Sequence, residues 1–446
     1  MKKKLLFLSL VTTCLFSSTS FAQAQTQTIT IFDKIVFYDG YAATSTEATP
    51  PDVVRLNNAL YAKKMTAAER QAIQNTFELE VTIGALCDNY DRIGGGFLSL
   101  VPHGEPLTEQ NKKTIEMGRF ITPFMNKNRQ PTTVPYVFDL THLVPMFKDA
   151  SFAAYDFWIE FNVFGVPYAA NTQVIGCAGR TDVFEGTLKI KSQDNGNPYD
   201  TFFLLPLASR DSFNNYNATA VAGTTTKIYQ FTLEEEINES FFHLITSNHG
   251  ANAGGEEYIR RVHQVYLDGE LINTYTPGGK SCEPYRQFNT QANGIYGSRP
   301  KTDADWTSWN NWCPGDVIPN RILPISRLEK GTHEFKIKVP DAQFKDGQGD
   351  FPLSLYYFAQ GANGVLATEK FEQVSYQLYP NPTTTKVYIH SPEEVKTIIG
   401  YDMRGSKILE AKNTSTIDCA NLPSGTYIFS IVFANGIKTT EKIVKQ

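Results

Sequence analysis

FELEVTIGALCDNYDRIGGGFLSLV, residues 77–101, decides how the fold is read. Phe77, Leu79, Val81 and Ile83 are apolar at every second place, with Glu78, Glu80 and Thr82 between them. That is the period of a strand with one buried face. FLSLV at 97–101 opens another strand. At the junction stand Asp88, Asp91 and Arg92, followed by Gly94, Gly95 and Gly96. Asp, Asn and Gly suit turns for backbone reasons alone, so a solvated turn is the plain reading. So much charge in one turn also makes it a place where chemistry could sit.

The same pattern continues outward. Residues 28 to about 190 read as short alternating strands split by polar loops, decorated by one insertion of helical spacing, TAAERQAIQNTF (66–77). KSQDNGNPYD (191–200) marks a boundary near 195, and a second strand-rich region runs to about 370. It contains VHQVYLDGELINTY (262–275), where Asp268-Gly269 between apolar runs predicts a hairpin. The loop 275–320 is too long for a mere connection and is expected to be functional or disulfide-tied. Many short strands without helices between them predict an all-β chain of sandwich or barrel domains.

The 446 residues allow two or three domains. Aromatic content of 13%, with 30 Phe and 22 Tyr, favours strands. A net charge of -5 leaves no large basic surface for nucleic acid. MKKK, then LLFLSLVTTCLF, then SSTSFAQAQ read as a secretory signal peptide over residues 1–25. No later stretch approaches the roughly 18 apolar residues of a membrane span, so an exported chain without stable membrane insertion is expected. With Cys14 in the signal, Cys87, Cys177, Cys282, Cys313 and Cys419 remain. Cys282 and Cys313 bracket a loop rich in Gly, Pro, Asn and Trp and are expected to pair. Cys87 with Cys177 is left open.

From about residue 375 the character changes. YPNP (379–382), MRG (403–405), LPSGTYI (422–428) and the final basic strand resemble the C-terminal sorting domain of type IX secretion, over 375–446. The resemblance implies recognition by the type IX machinery, a secreted or surface location after passage through the periplasm, and removal of this module together with Cys419.

The seven histidines form no H-x-H or H-x-x-x-H pair, and neither C-x-x-C nor G-x-S-x-G occurs. Local metal-ligand spacing is therefore absent, and nothing recommends a metal site assembled from distant strands. Cys87 beside Asp88 reads better as a disulfide partner than as a nucleophile in an exported chain. Carboxylates remain. Asp91 lies between Tyr90 and Arg92. In YDFWIEFNVFG (155–165) the apolar face is Phe157, Ile159, Phe161 and Val163, leaving Trp158, Glu160 and Asn162 on the other. An aromatic plane beside polar groups suits a sugar cleft, and a face in contact with water is the alternative. Glu257 in AGGEEYIRRVH (253–263) is either a site residue or a partner of Arg260 or Arg261.

Taken together, TIFDKIVFYDG (30–40), CDNYDR (87–92), IEMGRFITPF (115–124), GGEEYIRRVH (254–263) and WNNWCPGDVIPNRI (309–322) resemble the flavobacterial peptide:N-glycosidase F type amidases, in order across residues 28–370. The resemblance implies two eight-stranded jelly-roll domains side by side, here 26–192 and 193–370, with the active site in the cleft between them. It implies catalytic roles for Asp91, Glu257 and Glu160, and substrate contacts for Tyr90, Arg92, Trp158 and Arg321. The implied reaction hydrolyses the amide between asparagine and the first N-acetylglucosamine of N-glycosylated proteins or glycopeptides. Asp91 would serve the reacting water, Glu257 the asparagine amide, and Glu160 with Arg92 the chitobiose core. A monomer without cofactor suffices.

Four departures from the family pattern stand out, the first being SNHGANAGG (247–255) in place of a tryptophan-containing loop. Tyr90 replaces a tryptophan, and a short disulfide around Glu257 is missing, with Gly255 and Ile259 in the flanking places. A local partner for Cys87 is also absent. A non-catalytic glycan-binding protein on the same scaffold is the rival reading, against which the retained trio of carboxylates speaks. A copper monooxygenase would need histidine clusters that the chain lacks.

Overall fold

The structure, a computed structural model, describes residues 26–194, 202–214, 225–251, 255–291, 295–308, 310–360 and 372–446. The signal peptide, the boundary near 195 and Trp309 lie outside the described residues. The chain is all-β, as the alternation predicts. One sheet of the first sandwich orders Gln27–Tyr38, Asp182–Ser192, Glu78–Ala85 and Thr133–Asp139. The facing sheet orders Lys113–Ile121, Ile93–Pro102, Tyr155–Val163, Leu60–Lys64 and Val53–Asn57. Among the described residues the first region thus gives its sandwich nine strands, not the expected eight, two of them the short hairpin 53–64 at the edge of the second sheet. Leu79, Val81 and Ile83 are buried in its core, where Phe157, Ile159, Phe161 and Val163 meet them from the other sheet. The expected helical insertion is a single turn, Ala67–Gln71, closed by a Thr66/Glu69 capping box.

The second sandwich pairs a sheet ordered Phe202–Asp211, Leu353–Gln360, Ile237–Thr246 and Arg321–Leu328 with one ordered Glu270–Tyr275, His263–Leu267, Gly331–Val339 and Thr225–Leu233. The Asp268-Gly269 hairpin forms as expected, with positive φ of 51° and 86° at its two turn residues. Strands Phe202–Asp211 and Leu353–Gln360 are apolar on both faces for a physical reason. Leu205, Leu207, Tyr357 and Ala359 fill the second core, while Phe202, Leu204, Tyr356 and Phe358 pack into the first. One sheet is therefore buried between the two sandwiches and joins them.

The polar part of that junction centres on Glu116, which is fully buried and held by Arg119 and Arg210. Burial works to raise its pKa, and the two guanidinium groups outweigh it and bring the group down to about 2. Arg119 also donates to Ser247 Oγ at 2.8 Å and Pro352 O at 2.7 Å. Gly95 is glycine because Arg210 lies on it: a Cβ there would stand 2.4 Å from the guanidinium. The two-residue strand Val317–Ile318 from the second region completes the first sandwich's sheet beside Lys113–Ile121.

Both cysteine pairs are disulfides, Cys282–Cys313 as expected and Cys87–Cys177, while Cys419 is free and buried. In the C-terminal module a sheet ordered Lys407–Lys412, Val395–Tyr401, Gly425–Phe433 and Lys438–Lys445 packs on a second one. Strand Glu372–Tyr379 enters that second sheet through Lys386–His390, yet also pairs with Thr225–Leu233 of the second sandwich. The module is thereby joined edge to edge to the second sandwich.

Candidate active site

The turn at 86–92 is fixed from three sides. Cys87 is tied to Cys177, and its N–H donates to Asp182 O at 3.0 Å. Asp88 is buried and accepts from Arg92 Nε at 2.6 Å, Val166 N at 2.8 Å and Tyr90 N at 3.0 Å. Thr122, from GRFITP, accepts from Arg92 N at 2.8 Å and donates to Tyr90 O at 3.1 Å. So Asp88 is the turn-maker and Arg92 its counterion. Asp91 is left over. Its Oδ2 is buried and has no hydrogen-bond partner among the described residues.

The second sandwich supplies the facing group. Glu257 lies in the loop after Ile237–Thr246 and accepts from Gly250 N at 3.0 Å and from the Tyr258 hydroxyl. Its expected alternative, an ion pair with Arg260 or Arg261, does not form. Arg261 is taken by the neighbouring Glu256 at 2.6 and 3.0 Å, and Arg260 donates to Pro277 O and Thr307 O. Burial raises the Asp91 carboxyl to about 7, the charge of Glu257 adds to that rise, and Arg92 opposes it. Burial raises Glu257 as well, against the pull of its two hydrogen bonds. Asp91 and Glu257, carboxyl groups from different sandwiches, thus act on one another, and each is shifted toward its neutral form.

Further aromatic and polar groups surround them. Tyr258 is 41% exposed, and burial followed by Glu257 and Asp91 raises its phenol well above the ordinary range. The phenol of Tyr296 feels Asp91 too. Trp312 donates from Nε1 to Asn248 O at 2.7 Å, and its ring lies 5.7 Å from that of His249. Nothing in the local sequence marks Tyr296 or Asn248. Tyr258 could have been found only as the neighbour of Glu257. Tyr90 packs edge-on against Phe124, and Arg92 lies over the rings of Tyr90 and Tyr168 at 5.5 and 6.0 Å.

Glu160 has a different set of partners. It pairs across the sheet with Phe97 and accepts from Ser99 and from Lys112 Nζ at 3.2 and 3.3 Å. Phe97 and Ser99 are six and eight residues beyond Asp91, on the order of 20 Å at about 3.3 Å per residue. The structure does not bring Glu160 to Arg92. It lines a cavity of about 240 Å³ with Lys112, Thr114, Asn162, Ser209 and Arg210. Trp158 shares that outer face with Glu160, half-buried, with its Nε1 unpartnered among the described residues. Arg321 stacks on the Tyr275 ring at 4.0 Å, a different set of partners from those of Asp91 and Glu257. Among the described residues no group of three or more His, Cys, Asp or Glu side chains is placed to hold a metal ion.

Comparison with known proteins adds the following. Residues 28–178 match the family model for the N-terminal part of peptide-N-glycosidase F, and 215–357 match that for its C-terminal part. Residues 377–446 match the secretion system C-terminal sorting domain. A search of curated proteins finds no match. Two solved structures of PNGF-II, in different space groups, superpose with TM-scores of 0.56 and 0.55 at 19% identity over 75% of this chain. The chain spans 65% of the length of those proteins. PNGase F, a glycosylasparaginase from Flavobacterium meningosepticum, aligns over 78% of this chain and 99% of its own at 15% identity, with a TM-score of 0.48. Matched in order by both halves of the family and closed by a sorting domain, the chain belongs to the peptide-N-glycosidase F family.

Proposed function

We propose that the protein is a secreted peptide-N4-(N-acetyl-β-glucosaminyl)asparagine amidase. Water adds to the side-chain carbonyl of a glycosylated asparagine, and the carbon–nitrogen bond breaks. The peptide keeps an aspartate, and the glycan leaves as a glycosylamine that later sheds ammonia. The observation that carries this reading is the pairing of Asp91 and Glu257 across the two sandwiches, both held toward the neutral form. An amide is a poor electrophile, so its hydrolysis needs a base for water and a donor for the developing oxyanion. A carboxyl near 7 is matched to base duty around neutral pH. Asp91, with its bare Oδ2, takes the proton from water, and Glu257, oriented by Gly250 and Tyr258, holds the amide. Tyr90, Arg92, Trp158 and Arg321 contact the glycan, and Glu160 acts on a more distant part of the substrate than Asp91 does.

The sorting domain marks the chain for secretion or cell-surface export. In our reading the mature enzyme is a monomer of 26–192 and 193–370, freed of residues 1–25 and of the module 375–446. Incubation with a defined N-glycopeptide, followed by mass spectrometry, tests the reaction. Free glycan and an aspartate in place of asparagine support it, and an intact glycopeptide that binds without turnover would favour a glycan-binding protein instead.

A further inference from the structure

The loop that carries Glu257 is held by polar contacts, among them the bonds from Arg260 to Pro277 O and Thr307 O and from Gly250 N to the Glu257 carboxylate. Tyr258, Ile259 and Val262 are 41%, 40% and 40% exposed, so no apolar anchor fastens this segment to the core. Its own backbone bonds are long, Glu257 N to Gly250 O at 3.3 Å and Ile259 N to Glu256 O at 3.4 Å. At one end Glu256 is fastened by Arg261 and by Gln343 N at 2.8 Å. A further contact comes from far along the chain. Asn311 is buried, and its Nδ2 lies 2.5 Å from Glu257 O, 3.1 Å from Glu256 O and 3.1 Å from Ile259 O. Two amide hydrogens are thus shared among three carbonyls of one turn.

We infer that Asn311 is the positioning residue of this site, holding the turn 256–259 so that the Glu257 carboxylate faces Asp91. The inference rests on the functional reading above for its catalytic part.

The neighbours of Asn311 make it a rigid support. Asn310 accepts from Gly279 N at 2.9 Å and donates to Lys280 O at 2.5 Å. Trp312 donates to Asn248 O, and Cys313 is tied to Cys282. Three consecutive side chains therefore fasten three separate loops, 279–280, 256–259 and 248. A Cβ on Gly278 would stand 1.8 Å from Asn310 O, so those backbones lie in direct contact. An amide is the side chain this position needs. It donates twice, carries no charge, and is short enough to leave the turn unpushed.

The test compares Asn311→Ala and Asn311→Asp in the full chain. Aspartate keeps the shape but sets an acceptor against three carbonyls, so it should be the worse of the two; a merely space-filling residue would give the opposite order. Both variants are expected to fold, with faster amide exchange in residues 256–262 than in wild type. For catalysis, kcat should fall about 10–100-fold with KM little changed, the cost of a misplaced group rather than a lost binding contact. Unchanged exchange in 256–262, or an Asn311→Asp protein as active as wild type, would overturn the inference. A wild type inactive on glycopeptides but with the same exchange response would sink the amidase reading while supporting the contact.

Discussion

The Arg92 guanidinium closes on the Asp88 carboxylate at 2.6 Å, while Asp91 Oδ2, one residue away, has no hydrogen-bond partner among the described residues. Three charges in one turn therefore do different work. Asp88 and Arg92 satisfy each other inside the fold, and the third is held where burial raises its pKa. A solvated turn would have left all three free.

Asp91→Asn separates a turn residue from a reacting one, because asparagine suits a turn equally well. Glycopeptide turnover should fall by about 10²–10⁴ with binding retained. The sign of the stability effect follows from the carboxyl at about 7 against 3.8 unfolded. A group raised in the folded state favours folding below pH 4, and that contribution is lost as pH rises through 7. Wild type should thus lose ground to the variant by on the order of 2–4 kcal/mol between pH 4 and pH 8. Chemical denaturation at the two pH values measures it.

Arg92→Met should be far more damaging to the fold than Asp91→Asn. It strips the counterion from a carboxylate with no exposed side-chain surface. Breaking one partner of a buried pair costs about 3–5 kcal/mol. A melt unchanged from wild type would show that Asp88 finds another partner.

Glu160→Gln should act mainly on substrate affinity. With its carboxylate held by Ser99 and Lys112, away from Asp91, its loss should raise KM and lower kcat by less than Asp91→Asn does. Steady-state kinetics on a glycopeptide with a full glycan, and on one trimmed to the core sugars, reads the difference. A kcat loss equal to that of Asp91→Asn would place Glu160 at the reacting atoms after all.

Acid should loosen the joint between the sandwiches. His142 meets Tyr356 OH at 2.8 Å and stacks near His243, whose two ring nitrogens have no partner among the described residues. Burial lowers His142 to about 4 and His243 well below the usual range, the latter helped by His142. A histidine lowered in the fold supports stability above its unfolded value of 6.5, and the support is lost as pH falls from there. His142→Phe should therefore flatten the stability profile between pH 6.5 and 4, by roughly 2–3 kcal/mol, in denaturation series.

The two disulfides should matter unequally for the site. Removing Cys282–Cys313 opens a span of 31 residues and should cost about 3–4 kcal/mol in the chain-entropy model; it also frees the support under Glu257. Removing Cys87–Cys177, a span of 90, should cost about 4–5 kcal/mol and loosen the Asp91 turn. Paired Cys→Ser variants, melted and assayed together, separate stability from activity. Non-reducing peptide mapping that finds any of the four thiols free would remove the basis for both.

The strand class, the Asp268-Gly269 hairpin, the change of character near 375 and an expected Cys282–Cys313 pair were all legible in the chain alone. Each rests on short-range information: a period of two, a turn dipeptide, local composition, two cysteines around one loop. The sequence also marked Asp91 and Glu257 as candidates, through residue type and resemblance. Only the tertiary structure decided which of the marked groups meet. Glu257 is free to face Asp91 because Glu256, its neighbour in sequence, takes Arg261. Glu160 is drawn away by Lys112 and by its register opposite Phe97, which alternation cannot reveal. Cys87 pairs with Cys177 across 90 residues, and Asn311 reaches Glu257 across 54. Such pairings depend on how whole sheets stack. A one-dimensional pattern shows which face a side chain takes, and says nothing of what lies opposite it.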